Sequence, residues 1–390
     1  MTLPEKGSTV VVGLSGGVDS SMTAILLKEY GCNVICATMS TWNGDLDLKP
    51  NHENIRSSCY GPDEAVDIEV CKKFCAENDF EYHVIDVKKQ YRENVLDYYK
   101  NEYLAGKTPN PCIFCNPSIK FGAFLDGIRN EGIRFDYFCT GHYANLVRPS
   151  ENLVTDWDIS KKDESGEKKF PLLIQNASDT KKDQTYFLYR IPSETLEKVR
   201  FPLGSYTKKQ VFEMAAEHHL DAAERAESQD FIPPEYAEQV FADTPSVPGD
   251  IVDLNGKVLG KHRGIRYYTV GQRRGLGISS PAPVYVQAID AKNNRIVLGD
   301  NDSLLSSGLT ANNWVWPNGC APKVPFTAEV KIRLASPAVK AQIIPDEKPG
   351  TYTVKFAAPC RAVAPGQSVV LYINKMIAGG GIITGSINYG

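Results

Sequence analysis

The sequence predicts an α/β protein: a doubly wound parallel sheet first, then a small central domain, then a C-terminal β-barrel. Three observations predict it. Apolar strand-like runs alternate with helical patterns through the first half of the chain. Pro233-Pro234, Pro245 and Pro248-Gly249 then mark a seam, after which short strands and turns take over. From about Pro283 apolar and polar residues alternate between regular turns without a helical stretch, as the strands of a small barrel do. The expected domains are 1–225, 226–282 and 283–390.

At 390 residues the chain exceeds the usual size of one domain. No apolar run approaches the roughly 20 residues of a membrane span, and the leading MTLPEKGSTV lacks the apolar segment of a signal peptide. A cytoplasmic protein is expected. The net charge of −4 excludes a generally basic surface for nucleic acid, so an RNA site has to be a local patch. Lys181-Lys182, Lys208-Lys209, Arg263 with Arg266, Arg273-Arg274 and Lys331 with Arg333 are such patches, each also readable as a solvated face. Ten cysteines without an export signal do not form a disulfide framework. Cys32, Cys36, Cys71 and Cys75 are explained by core packing.

The elements follow in order. Val10-Val11-Val12 reads as a strand buried on both faces; a Gly and Ser turn ends it, and a helix runs from Met22 to Tyr30. Glycines let a ligand come close to the backbone, and the first amides of a helix favour negative charge, so a phosphate is the expected guest. The loop is neither a Walker A loop nor a G-x-G-x-x-G turn; the plain alternative is a turn without a ligand. Asn33–Met39 is a second strand, and a long polar loop over Ser40–Gly61 carries Trp42, His52 and Cys59. A helix from Pro62-Asp63-Glu64 leads to a third strand at Glu81–Val87. Ligands of such sheets gather at the carboxyl ends of the strands.

Gln90–Ala105 has aromatic and apolar residues at helical spacing, a packed face. The loop Gly106–Asn116 holds Cys112 and Cys115 behind two prolines that stiffen it, and a helix follows from Pro117. Tyr137–His142 is a fourth strand; Ser150–Lys169 reads as a flexible surface excursion. Thr207 caps an amphipathic helix whose basic start suits a surface. Asn255-Gly256 marks a hairpin.

Ser15-Gly16-Gly17-Val18-Asp19-Ser20 matches S-G-G-x-D-S, and this stretch resembles the PP-loop (HUP-like) ATP pyrophosphatases, which leave an adenylate on their substrate. Beyond that loop come TPNPCIFCN, IKF, TGHY, KDQTYFLY, FPLG, YYTVGQRRGLGI, RAVAPGQSVVLY and AGGGII. In this order, along almost the whole sequence, they resemble the tRNA-specific 2-thiouridylase (MnmA/TrmU) family. The resemblance implies ATP-dependent thiolation of the wobble uridine of tRNA at C2, with sulfur from a donor such as sulfide or a sulfur-carrier protein. By resemblance Gly13, Leu14, Ser15, Gly16, Gly17, Val18, Asp19 and Ser20 hold the phosphates, with Asp19 near Mg²⁺; the Met39 backbone holds adenine and Gly141 borders the nucleotide. Asn110, Pro111 and Cys112 lie beside the target base, and His142, Lys182, Asp183, Gln184, Arg333 and Gln367 match tRNA contacts. Cys115 matches the first catalytic cysteine. The second, persulfide-bearing cysteine has no counterpart in AESQDFIPPEY (Ala226–Tyr236), which opens the question of whether Cys112 substitutes.

The Cys112-x-x-Cys115 pair admits three readings. A structural zinc site needs further ligands that the sequence does not offer, and a thioredoxin-like pair belongs to another context. A [4Fe-4S] cluster on Cys112, Cys115 and Cys59, with Cys139 as second choice for the third ligand, is the other. Two other functions compete with thiolation: a PP-loop synthetase of small-molecule adenylates, which needs neither reactive thiol nor barrel, and an inactive tRNA-binding protein.

Overall fold

The computed structural model describes residues 3–44, 46, 48, 59–220, 231–232 and 234–388. The first half is built on β1 (Thr9–Gly13), α1 (Val18–Tyr30), β2 (Asn33–Ser40), α2 (Glu64–Glu77), β3 (Glu81–Asp86) and β4 (Tyr137–Cys139). All pairings in its sheet are parallel, in the order β3, β2, β1, β4 and then a short fifth strand, Val199–Arg200. Val10, Val11 and Val12 are fully buried because helices cover both faces. The chain runs outward from β1 through β2 to β3 and then returns to the other side of β1 as β4. The crevice beyond the carboxyl ends of β1 and β4 is therefore the switch point where such sheets bind ligands.

Two stretches depart from the sequence reading in this half. Cys112 and Cys115 do not sit in a loop. Pro111 occupies the first helical position, where its missing N–H costs nothing, and the chain is helical from there to Asn130, as Pro111–Cys115, a π-helical stretch Asn116–Ala123, and Phe124–Asn130. The excursion at 150–169 is anchored rather than free: Trp157 and Ile159 are buried in the barrel core, and the Trp157 indole donates to the Cys320 carbonyl at 2.7 Å. Its tip, with the pair Lys161–Lys162 and Lys168–Lys169, is exposed throughout. The N-cap expected at Thr207 is formed, and Gln210 completes a capping box with it.

A four-stranded sheet follows, containing the hairpin Gly249–Val252 and Val258–His262 about Gly256, whose φ is +83°. Tyr285–Asp290 and Arg295–Gly299, which the alternation assigned to the barrel, pair within this middle sheet instead. Six antiparallel strands between Leu305 and Asn388 then close on themselves through the pairing of Leu305–Val315 with Met376–Asn388. The last hairpin turns on Asn374 and Lys375, both at positive φ, the two-residue turn that suits strand twist. Strands Asn145–Val147 and Leu173–Gln175 extend the barrel sheet from the first half, so the domains are stitched together.

Candidate active site

The phosphate loop lies where the sheet order reverses. Gly16 has φ +73°, and Gly17 caps α1 without any side-chain bond to the first-turn amides. Ser20 Oγ donates to the Gly17 carbonyl at 3.0 Å and accepts from the Ser15 N–H at 3.1 Å, and the Leu14 N–H is tied to the Ala37 carbonyl, so the loop is shaped in advance. A Cβ on Gly141 would come within 2.8 Å of the Asp19 carbonyl carbon, and one on Gly13 within 3.1 Å of the Phe138 ring. These glycines keep the cradle open to a nucleotide phosphate. The residues fit a nucleotide. Met39 stands near the carboxyl end of β2, the side on which adenine was expected.

Asp19 is committed to protein partners. Both carboxylate oxygens accept from the buried Lys208 ammonium, at 2.9 and 2.8 Å, and Oδ1 also accepts from the Tyr143 hydroxyl at 2.8 Å. Lys208 was read as part of a basic surface; it points inward, 4.8 Å from the Phe212 ring centre. The charge of Asp19 is met in this way by Lys208 and Tyr143.

The helix bearing the thiols runs from the nucleotide crevice outward. Cys112 and Cys115, three residues apart, share one face. Phe124, at the start of the helix's last segment, lies 3.7 Å from the position of a Gly13 Cβ. It stands nine positions beyond Cys115, a rise on the order of 13 Å at the α-helical value per residue. Both thiols keep some solvent access yet lie deep: burial, then Cys59, pushes Cys112 up to about 11, and burial pushes Cys115 up to about 12. Lys120 acts against the rise at both. Sequence reasoning passed over this lysine, whose only signal was its spacing of one to two turns from the thiols.

A family model described as the tRNA methyl transferase HUP domain matches residues 8–233, a PRC-barrel domain of the same set matches 240–300, and an aminomethyltransferase β-barrel domain matches 306–383. The tRNA-specific 2-thiouridylase MnmA of Endomicrobium trichonymphae is 41% identical over 96% of this chain and 98% of its own. Those of a Roseiflexus species and of Acetivibrio thermocellus are each 38% identical, again over 96% of this chain and 98% of theirs. The chain belongs to the tRNA-specific 2-thiouridylase family.

For this 2-thiouridylase family member, several residues that the resemblance placed on tRNA have structural partners. Asp183 accepts from the N–H groups of Ala177 and Thr185 and from the Thr185 hydroxyl, at 2.7, 3.1 and 2.5 Å. Gln184 Oε1 accepts from the Tyr143 N–H at 2.9 Å and so supports the partner of Asp19. Lys182 is half-buried beside them. His142 sits between the Phe121 and Phe201 rings with Nδ1 2.7 Å from the Thr140 hydroxyl; burial, and then Lys120, hold it well below 6.5, so it is neutral near pH 7. An Arg333 guanidinium nitrogen donates to the Val270 carbonyl at 2.9 Å. Gln367 Nε2 donates to the Thr108 and Pro109 carbonyls at 3.0 and 3.3 Å, just ahead of Asn110 and Pro111.

The three proposed cluster ligands converge only loosely. Cys59 is exposed and acts electrostatically on both Cys112 and Cys115, but among the described residues no three His, Cys, Asp or Glu side chains form a metal site. Cys139 is sealed in the sheet core with Val12 and Cys36, away from the thiol helix. The residues do not fit a cluster as they stand. Most of the Ser40–Gly61 loop, with His52, and the stretch from Ala226 to Asp230 lie outside the described residues.

Proposed function

We propose that this protein uses ATP to adenylate the C2 oxygen of the wobble uridine in tRNA and then replaces that oxygen with sulfur carried on Cys115, giving 2-thiouridine. The observation that carries the reading is one helix with two thiols at its start and its later turns against a phosphate loop. An amide-type oxygen is a poor leaving group, so activation has to precede displacement, and activation asks mainly for positioning and charge stabilisation. The Gly13–Ser20 backbone and the first turn of α1 supply the anion cradle. The relatives' name and the extent of the match favour this over a small-molecule synthetase.

Sulfur transfer follows from the helix face. A sulfane-sulfur donor, the persulfide of a sulfur-carrier protein, passes its outer sulfur to the Cys115 thiolate and leaves as a thiolate. The terminal sulfur of the resulting Cys115 persulfide attacks C2, the C2–O bond breaks and AMP leaves with the electron pair. The Cys112 thiolate then attacks the Cys115 sulfur of the tRNA–S–S–Cys115 adduct, leaving 2-thiolated tRNA and a Cys112–Cys115 disulfide, which a dithiol reductant resets. Cys112 thereby stands in for the cysteine absent from Ala226–Tyr236.

The test is nucleoside mass spectrometry of unmodified tRNA after a single turnover with ATP, glutathione persulfide as the sulfur source and anaerobically purified protein, alongside iron and acid-labile sulfide analysis. Formation of 2-thiouridine by iron-free protein, lost in Cys115→Ser and greatly reduced in Cys112→Ser, supports the reading. No 2-thiouridine under any of these conditions sinks it. Activity that tracks iron content and vanishes in Cys59→Ala replaces the thiol relay with a cluster.

A further inference from the structure

Tyr91 has no use in the scheme above. Its side chain is 1% exposed, and among the described residues its hydroxyl has no hydrogen-bond partner. A buried hydroxyl left unpaired costs free energy, so such groups are rare and call for an explanation. The ring is held on both sides: Tyr60 stacks on it with centres 5.4 Å apart and planes 4° apart, and Phe231 stacks at 6.3 Å. Tyr60 adjoins Cys59, and Cys115 packs on the same core as Tyr91. Cys115, Cys59 and Cys112 all lie near enough to act on the Tyr91 hydroxyl electrostatically, yet none hydrogen-bonds to it. A persulfide extends a cysteine sulfur by about 2 Å.

We propose that the Tyr91 hydroxyl is the hydrogen-bond donor of a binding site for reduced, anionic sulfur, either hydrosulfide or the terminal sulfur of a Cys115 persulfide. The inference rests on the sulfur-transfer reading and adds a residue to it. The aromatic walls exclude water, which strengthens a hydrogen bond to an anion. Lys120, which acts on Cys112 and Cys115, supplies the nearby positive charge. The hydroxyl donates throughout and is not consumed: it orients the sulfur toward the uridine carbon and keeps it in the crevice.

Tyr91→Phe in the full chain tests this, because it keeps the stacked ring and removes only the oxygen. Three quantities are measured: tRNA-dependent pyrophosphate release, 2-thiouridine formation from sodium sulfide, and 2-thiouridine formation from glutathione persulfide. The variant is expected to release pyrophosphate within twofold of wild type and to melt no lower, since an unpaired buried hydroxyl is gone. Thiolation should fall by about tenfold or more, the effect of losing a hydrogen bond to a charged group. A fall in both arms supports a shared sulfur site; a fall in one arm supports the site and identifies which source occupies it. Unchanged thiolation in both arms overturns the proposal, and so does a matching fall in pyrophosphate release, which would assign Tyr91 to the adenylation step. Wild-type protein that releases pyrophosphate but makes no 2-thiouridine in either arm defeats the sulfur-transfer reading itself.

Discussion

Lys208 Nζ lies 2.8 Å from Asp19 Oδ2 and 2.9 Å from Oδ1, a pair that joins the first turn of α1 to a helix that begins almost two hundred positions later. The lysine side chain is 10% exposed and the aspartate 29%, so the pair is only partly screened. Removing one partner of such a pair leaves the other charge poorly compensated. Lys208→Met is expected to lower stability by about 1–3 kcal/mol, read by denaturant unfolding, because Asp19 keeps only the Tyr143 hydroxyl. Pyrophosphate release should slow as the loop loses its brace. Unchanged stability and unchanged release together would show that the pair braces nothing.

Cys112 and Cys115 give a pH dependence whose sign follows from burial. Their ordinary value is 9.0, and the folded values are about 11 and about 12. Above pH 9 the unfolded chain loses thiol protons that the folded chain keeps, so the unfolded state binds fewer protons and stability falls as pH rises. The stability contributed by the raised thiols is fully present below pH 9 and is lost between about 9 and 12. Cys115→Ser should flatten this alkaline slope in urea titrations at pH 8, 9 and 10. In parallel, iodoacetamide should alkylate Cys115 more slowly than the exposed Cys59 at pH 7.5, with a rate that climbs about tenfold per pH unit. A fast, pH-independent reaction at Cys115 would contradict the buried, protonated thiol.

The strand, glycine turn and helix at Thr9–Tyr30 were legible in the sequence because the glycines follow an apolar run and precede a helical pattern, a local signal. The thiol pair was legible as a pair and misjudged as a loop: Pro109 and Pro111 suggested a stiffened loop with a helix only from Pro117, whereas Pro111 already starts the helix and Pro117 is absorbed in its π-helical stretch. Trp157 and Ile159 carried a signal, two large apolar residues in a polar run, but nothing local says which core they enter. The strands at 285–299 alternate as barrel strands do, and only their pairing partners assign them to the middle sheet. Lys208 and Tyr91 were illegible, because their contacts reach across the fold, whereas Lys120 stood in view in the IKF run one to two turns from the thiols and was given no role.

Gln367 separates a tRNA contact from a structural clamp. The segment before the thiol helix is gripped from two sides: the Thr108 N–H donates to the Pro365 carbonyl at 2.8 Å, Gln367 Nε2 donates to Thr108 and Pro109, and the Thr108 and Thr269 hydroxyls lie 2.6 Å apart. The barrel and the middle sheet thus set where Asn110 begins the helix and, through it, where Cys112 and Cys115 sit. A side-chain donor of this kind contributes about 1 kcal/mol, and a small displacement of reacting groups costs rate. Gln367→Ala is therefore expected to lower the rate of 2-thiouridine formation at saturating tRNA by about threefold to tenfold, with tRNA affinity within twofold of wild type. Thr269→Val should do the same, and the double variant should lose less than the product of the two, since both act on one segment. Were Gln367 chiefly a tRNA contact, the variant would instead raise the tRNA Kd at unchanged saturated rate, and Thr269→Val would not reproduce it.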